Sequence, residues 1–325
     1  MGAIRRERVT VDVGDLHVDT GRPVPPGIDP LEVTVVAGEP GAPVVVCIPG
    51  GGMSGGYFDL PLPGYSLLEH LGAAGLGVVL LGPPSIGDPL LADGGYDLIP
   101  PTVAAIDAAV LAEVVDRTGL AGRPLVGVGH SMGAMLTILV QAEHRPYDAL
   151  VVLGWSGHGL PAILDDAELA YADRPDALFG PPEPPARRTT VLGELSERRF
   201  GRPIITGRNG PSDYVMGVGV EPAARAALVA AGAPLIGCCG LAAMIPGSHR
   251  PQTEQVDVPV FCGLGEHDIT PDPRRVPDAF VASNDVTLHL LPGAGHNANV
   301  APTRVARWDR LVGWVGSLGL STRTR

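Results

Sequence analysis

The chain lacks an apolar run of membrane length, and Arg5, Arg6, Glu7 and Arg8 stand where the apolar region of a secretory leader would begin. A soluble, cytoplasmic protein without membrane contact is therefore expected. Positive charge is scarce: 23 Lys and Arg against 35 Asp and Glu leave a net charge of -12. Nucleic acid and anionic membrane surfaces would be repelled by that average field, so neither is an expected partner. Cysteine is scarce too. Cys47 and Cys262 lie in apolar strand-like runs, Cys238 and Cys239 are adjacent in an apolar segment, and no Cys/His spacing resembles a zinc site. Buried free thiols and no bound metal follow. The glycine-rich Pro49-Gly50-Gly51-Gly52-Met53 has no Lys-Ser/Thr ending and does not open a helix, which argues against a phosphate cradle. No cofactor is expected, and no internal repeat is present.

What the chain has is 325 residues, 45% of them hydrophobic, enough for a large core in one domain or a domain with an insertion. Arg8 to Val13 and Leu31 to Ala37 alternate as edge strands do. Val44 to Pro49, Gly77 to Leu81, Pro124 to Gly129 and Ala149 to Leu153 are continuous apolar runs, the pattern of parallel strands buried on both faces. Helical stretches stand between them: Tyr65 to Ala74, then a stripe of Val103, Ile106, Val110 and Val114. This order predicts an α/β fold, with a mainly parallel central sheet, helices on both faces, and antiparallel strands at its start.

From Gly154 to about Gln255 the rhythm breaks. Prolines cluster from Pro175 through Pro185, Pro222 to Ala231 suits a short helix, and Leu235 to Ile245 reads as a helix apolar on nearly every side. Arg187, Arg188, Arg198 and Arg199 in this region read as a solvated helix face. The rhythm resumes with Val258 to Cys262, Val286 to Leu291, and a last helix with the stripe Val305, Trp308, Leu311, Val312 and Val315. Residues 1–154 and 256–325 are expected to form two parts of one core, with 155–255 inserted as a mostly helical lid.

Gly129-His130-Ser131-Met132-Gly133 places a serine between glycines. In a chain with 45 glycines such a pattern arises easily by chance, and Gly52-Met53-Ser54-Gly55-Gly56 is a second match. The flanks separate them. Ser131 follows an apolar strand and precedes Met132, Met135, Leu136, Leu139 and Val140 at helical spacing, whereas Ser54 precedes Gly55, Gly56, Pro61, Pro63 and Gly64, a loop composition. A serine on a strand-to-helix elbow is a candidate nucleophile.

Such a serine needs a base, and the base needs an orienting acid; in a parallel sheet both belong in loops at the carboxyl ends of later strands. Gly265-Glu266-His267-Asp268 and Gly293-Ala294-Gly295-His296-Asn297 stand in those places. His296 is the candidate base. Asp268 is the candidate acid, with Glu266 and Asp272 as competitors in the same loop. His130, His158, His249, His267 and His289 are assigned to packing or surface, with His158 and His249 left open as pocket residues. An oxyanion would be held by two backbone amides, those of Met132 and Gly51, with Gly52 in reserve.

The elbow, the glycine-rich loop after the third strand, the G-x-x-D loop and the late Gly-His occur in the order of the α/β-hydrolase fold superfamily, which the sequence resembles over nearly its whole length outside the inserted region. The resemblance implies a serine hydrolase acting on an ester, lactone or thioester, and the apolar segment Leu235 to Ile245, if it roofs the cleft above Ser131, makes a small hydrophobic substrate the expected one. The resemblance also admits a C-C bond hydrolase, acyl transferase, lyase, or a ligand-binding protein that retains the triad. Where many members begin the oxyanion loop with His-Gly, this chain has Pro49-Gly50. A homo-oligomer is compatible with everything above.

Overall fold

The computed structural model of the protein describes residues 4–20, 24–84, 94–206 and 213–322. The chain enters through β1 (Glu7–Val11) and β2 (Leu31–Val36), then β3 (Val44–Ile48), α1 (Leu67–Ala73), β4 (Gly77–Leu80), α2 (Pro100–Arg117), β5 (Leu125–His130), α3 (Met132–His144) and β6 (Ala149–Leu153). The inserted region contributes the short helices α4 (Asp166–Leu169) and α5 (Pro175–Phe179), then α6 (Val191–Phe200), β7 (Ile204–Ile205), α7 (Asp213–Met216), α8 (Pro222–Ala230), β8 (Leu235–Ile236), α9 (Gly237–Met244) and α10 (Arg250–Thr253). The core closes with β9 (Val260–His267), β10 (Val286–Gly295) and α11 (Arg304–Ser317).

Among the described residues the main sheet has eight strands in the order β1-β2-β4-β3-β5-β6-β9-β10. The β1–β2 and β2–β4 pairs are antiparallel and the rest parallel, as the sequence order predicts. Every residue of β3 is buried. Val44, Val46 and Ile48 face one core with α2 and α3, while Val45 and Cys47 face a second with α1 and α11. That two-sided burial is why the central strands read as unbroken apolar runs.

Helix boundaries have local causes. Pro100 and Pro101 open α2, where a missing N–H costs nothing. Arg145, in the left-handed region at φ 53°, ends α3 with its N–H on the Gln141 carbonyl.

Two expectations for the inserted region need correction. Leu235 and Ile236 are not helical: they pair with Ile205 and Ile204 in a small antiparallel ribbon, and the helix starts only at Gly237. An apolar run carries no sign of where strand gives way to helix, and it is the pairing with Ile204 and Ile205 that holds these two residues extended. The arginines form a solvated face only in part: Arg187 and Arg198 are exposed, whereas Arg188 and Arg199 are largely covered. Arg188 is clamped by Glu197 and stacks on Tyr96, Arg198 pairs with Asp165, and Arg199 donates twice to the fully buried Glu168. The carboxylates of the same region take up these charges. All four cysteines are buried and free, as expected.

Candidate active site

Ser131 sits where β5 ends and α3 begins, at φ 55° and ψ -120°, backbone that a non-glycine residue adopts only when its surroundings enforce it. The enforcement is visible. The Ser131 N–H donates to the Leu153 carbonyl at 2.8 Å, and a Cβ on Gly133 would lie 2.3 Å from the Ile48 carbonyl oxygen. Helix and strand therefore approach as closely as the elbow requires, and the serine side chain is presented at the edge of the sheet.

The base and acid arrive from neighbouring loops. β10 runs parallel to β9, but its register shifts between Leu291 and Gly295, and the bulged backbone carries His296 over Asp268. His296 Nδ1 lies 2.7 Å from Asp268 Oδ1, and His296 Nε2 lies 2.9 Å from Ser131 Oγ. Asp268 also accepts from the Ile269 N–H at 2.8 Å and the Gly265 N–H at 3.1 Å. Burial pushes its carboxyl pKa up, but the hydrogen bond and charge of His296 and the two amides outweigh that and leave it at about 2. An ionised carboxylate only accepts, so His296 Nδ1 carries the proton and Nε2 offers its lone pair to the serine hydroxyl.

The competitors lie elsewhere. Glu266 is exposed and accepts the Gly293 N–H, and Asp272 caps a 3-10 turn through the Arg274 N–H. Ser54 caps another such turn: its Oγ accepts from the Gly56 N–H and donates to the Ala231 carbonyl at 2.9 Å.

The glycine-rich loop passes directly above the serine. A Cβ on Gly50 would lie 3.2 Å from Ser131 Cβ, and one on Gly51 would lie 3.4 Å from Met132 Sδ. The Met53 N–H closes a turn onto the Gly50 carbonyl, with Gly51 and Gly52 between. Met132 opens α3, where the first amides have no acceptor a turn earlier.

The surroundings of the three side chains hold residues that sequence reasoning assigned to packing. His130 is buried, stacks on Tyr57 with ring centroids 4.4 Å apart, and has Nε2 3.0 Å from the His296 carbonyl, to which it donates. Burial and the neighbouring His296 push its pKa down, so it stays neutral. His249 is locked more tightly. Its Nε2 accepts from the Trp155 indole at 3.1 Å, and since the Ser248 hydroxyl already donates to the Ala242 carbonyl, Nδ1–H donates to Ser248 Oγ. No signal in the sequence marks this lock, because its partners are 94 residues apart. His158 is exposed.

The His249 lock has a consequence for stability. Burial lowers its folded-state pKa to about 4, below the value near 6.5 of a histidine in an unfolded chain. The unfolded chain therefore binds more protons between those values. The contribution is fully present above about pH 6.5 and is lost as pH falls toward 4, on the order of 3 kcal/mol in all. In thermal melts, His249→Gln is expected to lose less stability than the parent between about pH 7 and pH 5. Parallel losses in the two proteins would mean that another group sets the slope.

A segment from Val215 to Ala233 straps these loops together. At one end the Val215 carbonyl accepts the Asn297 N–H at 3.0 Å, Gly217 bridges Ala294, and the Val218 N–H reaches the Gly293 carbonyl. At the other, the Ala233 N–H donates to the Gly52 carbonyl, the Ser54 N–H donates to Ala231, and Met53 bridges Gly232. The strap covers a cavity of about 820 Å³ with Ser131 and His296 in its wall. Leu228 and Val229 of α8, Leu235, and Ala243 and Met244 of α9 make much of the remaining wall apolar, and Arg199 reaches its edge.

A family model described as the alpha/beta hydrolase family matches residues 45–308. The chain belongs to this family. The expectation of an α/β-hydrolase enzyme holds, and so does the predicted fold. Among solved structures, this alpha/beta hydrolase is similar to a monoacylglycerol lipase of Paleococcus ferrophilus, with 16% identity, a TM-score of 0.61, and 88% of this chain and 98% of that one covered. It is similar also to a thermostable carboxyl esterase of Bacillus coagulans, at 16% identity, TM-score 0.60, and coverage of 97% and 99%. A bromoperoxidase of Bacillus anthracis shares the fold as well, at 16% identity, TM-score 0.58, and coverage of 96% and 100%. At such identities the likeness concerns the fold. No curated protein matches the sequence. Among the described residues, no cluster of side chains has the makings of a metal site, and no helix is long and apolar enough to cross a membrane.

Proposed function

We propose that this protein is a serine hydrolase that cleaves an ester, lactone or thioester of a small hydrophobic substrate, with Ser131 as nucleophile, His296 as general base and Asp268 as orienting acid. The observation that carries this is the unbroken chain of hydrogen bonds from Ser131 through His296 to Asp268, opening onto a largely apolar cavity. Ser131 Oγ attacks the acyl carbon while His296 Nε2 takes its proton. The imidazolium then returns that proton to the leaving oxygen or sulfur, which leaves an acyl-serine. Water, deprotonated by His296, attacks the acyl group, and the proton goes back to Ser131 as the acid departs. Asp268 stays ionised throughout and stabilises the imidazolium. The N–H groups of Met132 and Gly51 bind the tetrahedral oxyanion in this scheme. Residues 155–255 act as a lid over the acyl site.

A broad panel of p-nitrophenyl esters and thioesters tests this reading. The expected result is turnover on uncharged hydrophobic acyl groups, faster than on acetyl or charged ones, because an apolar wall rewards apolar area. No turnover on any member, together with reversible binding of the same compounds, would favour a ligand-binding protein that keeps the triad.

The wall residue to test is Met244. Of the two positions that an apolar helix suggests, Leu241 is fully buried against the core, whereas Met244 lines the cavity. Met244→Asp is expected to raise KM for hydrophobic acyl esters roughly tenfold or more, as a desolvated carboxylate would in place of an apolar contact. Steady-state kinetics beside circular dichroism check it, and an unchanged KM in a folded variant would remove α9 from the acyl site.

A further inference from the structure

Behind Asp268 lies a side chain that the scheme above leaves unused. Arg307 of α11 is only 3% exposed, and its Nη2 donates to the Leu264 carbonyl at 2.6 Å. That carbonyl belongs to the same peptide group as the Gly265 N–H, which donates to Asp268 Oδ2. One amide is thus held between a cation at its oxygen end and a carboxylate at its hydrogen end. Both polarise it in the same sense, so each hydrogen bond strengthens the other.

The arrangement is costly for a mere filler of space. Among the described residues Arg307 has no carboxylate partner within salt-bridge distance, and its buried Nε has no acceptor. A buried charge of this kind is tolerated at a cost that an apolar side chain of similar volume would avoid. Burial lowers the guanidinium pKa to about 10 while the charge of Asp268 raises it, so Arg307 is a cation at neutral pH. The other groups around the acid and base are the neutral His130 from β5, Tyr57 from the turn after β3, and the exposed Glu266 and His267 on the acid's own strand. His289 on β10 is within electrostatic reach of both Arg307 and Arg310 on α11. Of these, Arg307 alone is a buried cation.

We propose that Arg307 is a positioning residue for the acid Asp268: through the Leu264–Gly265 peptide it fixes the carboxylate, and its charge holds the Asp268–His296 pair in the ionised, neutral form that attack requires. The inference rests on the serine hydrolase reading. Its test is the second-order rate at which a fluorophosphonate labels Ser131, measured by intact mass from about pH 5 to about pH 9, in the parent protein and in Arg307→Gln, Arg307→Met and Arg307→Lys.

Arg307 and the Asp268 carboxylate attract each other by charge, so with the buried cation gone the acid limb of the rate profile is expected to move up by roughly half a unit to one unit in Arg307→Gln and Arg307→Met. Arg307→Met, which also loses the donor, is expected to have a plateau about tenfold lower. Arg307→Lys, which keeps charge and one donor, is expected to keep the parental limb. Trp314→Leu, a destabilising change on the same helix, is the control for packing and is expected to leave the limb in place.

Unlabelled parent protein would sink the hydrolase reading itself. A labelled parent with the acid limb unmoved in Arg307→Gln would overturn the role of Arg307 alone. The same holds if Lys and Gln variants slow equally at an unchanged limb, because packing then explains the loss. If Arg307→Met does not fold, the comparison of Gln with Lys decides, since both retain a donor and differ in charge.

Discussion

Exposed to a fluorophosphonate, the protein is expected to gain one equivalent on Ser131, and Ser131→Ala to gain none, while turnover of its ester substrates falls roughly a million-fold. The size follows from the hydrogen-bonded unit. Once the hydroxyl is gone, His296 and Asp268 have nothing to activate, and only binding and the oxyanion amides remain to act on water. The backbone at Ser131 is already held in its unusual conformation by Leu153 and by the close packing at Gly133, so alanine keeps the elbow and reports on the hydroxyl alone. Ser54→Ala is the contrasting variant. It is expected to label normally and to lose about 1 kcal/mol of stability, the usual loss for a missing cap. Mass spectra of the two variants separate the matches: label kept in Ser131→Ala and missing from Ser54→Ala would move the nucleophile to Ser54.

Asp268→Asn is expected to lower kcat about ten-thousand-fold with KM changed only a few-fold. Asn presents an N–H2 as well as a carbonyl. It can accept the imidazole proton only by giving up one of the amides that now hold Asp268, and it cannot stabilise the imidazolium by charge. Glu266→Gln is expected to stay within a few-fold of the parent, because the exposed Glu266 carboxylate meets the Gly293 N–H and the exposed His267 and does not reach His296. Steady-state kinetics that rank the two variants the other way would hand the acid's role to Glu266.

Much of this site can be read in the sequence, because its parts sit at positions that the fold makes regular. Ser131 ends an apolar strand and begins an apolar helix, and His296 and Asp268 end strands that recur at the spacing of a parallel sheet. What escapes reading depends on contacts between distant segments. A ribbon as short as Leu235–Ile236 has no periodicity to detect. In α11 the pattern misleads in both directions: Val305, an apolar member of the stripe, is 42% exposed, while Arg307, polar by type, is buried beneath the sheet edge. Periodicity assigns an arginine to the solvent face, and only the carbonyl of Leu264 explains why this one turns inward. The lock of His249 between Trp155 and Ser248 escapes for the same reason.

The strap from Val215 to Ala233 is fastened at both ends through its own main-chain groups, while Met216, Ala224 and Leu228 between them are buried in the core. The strap's peptide bonds hold the loop of His296 at one end and the loop of Gly52 at the other, and these contacts are indifferent to the identity of its exposed side chains, although a Cβ on Gly217 would lie 2.4 Å from the Gly295 nitrogen. Val229, half in solvent and half in the cavity wall, can therefore be exchanged without loosening either loop. Insertions and deletions in the strap cannot, since they shift the register of both fastenings at once. Evolution of substrate range on this scaffold accordingly has a cheap route, point substitution along the strap, and an expensive one, change in its length.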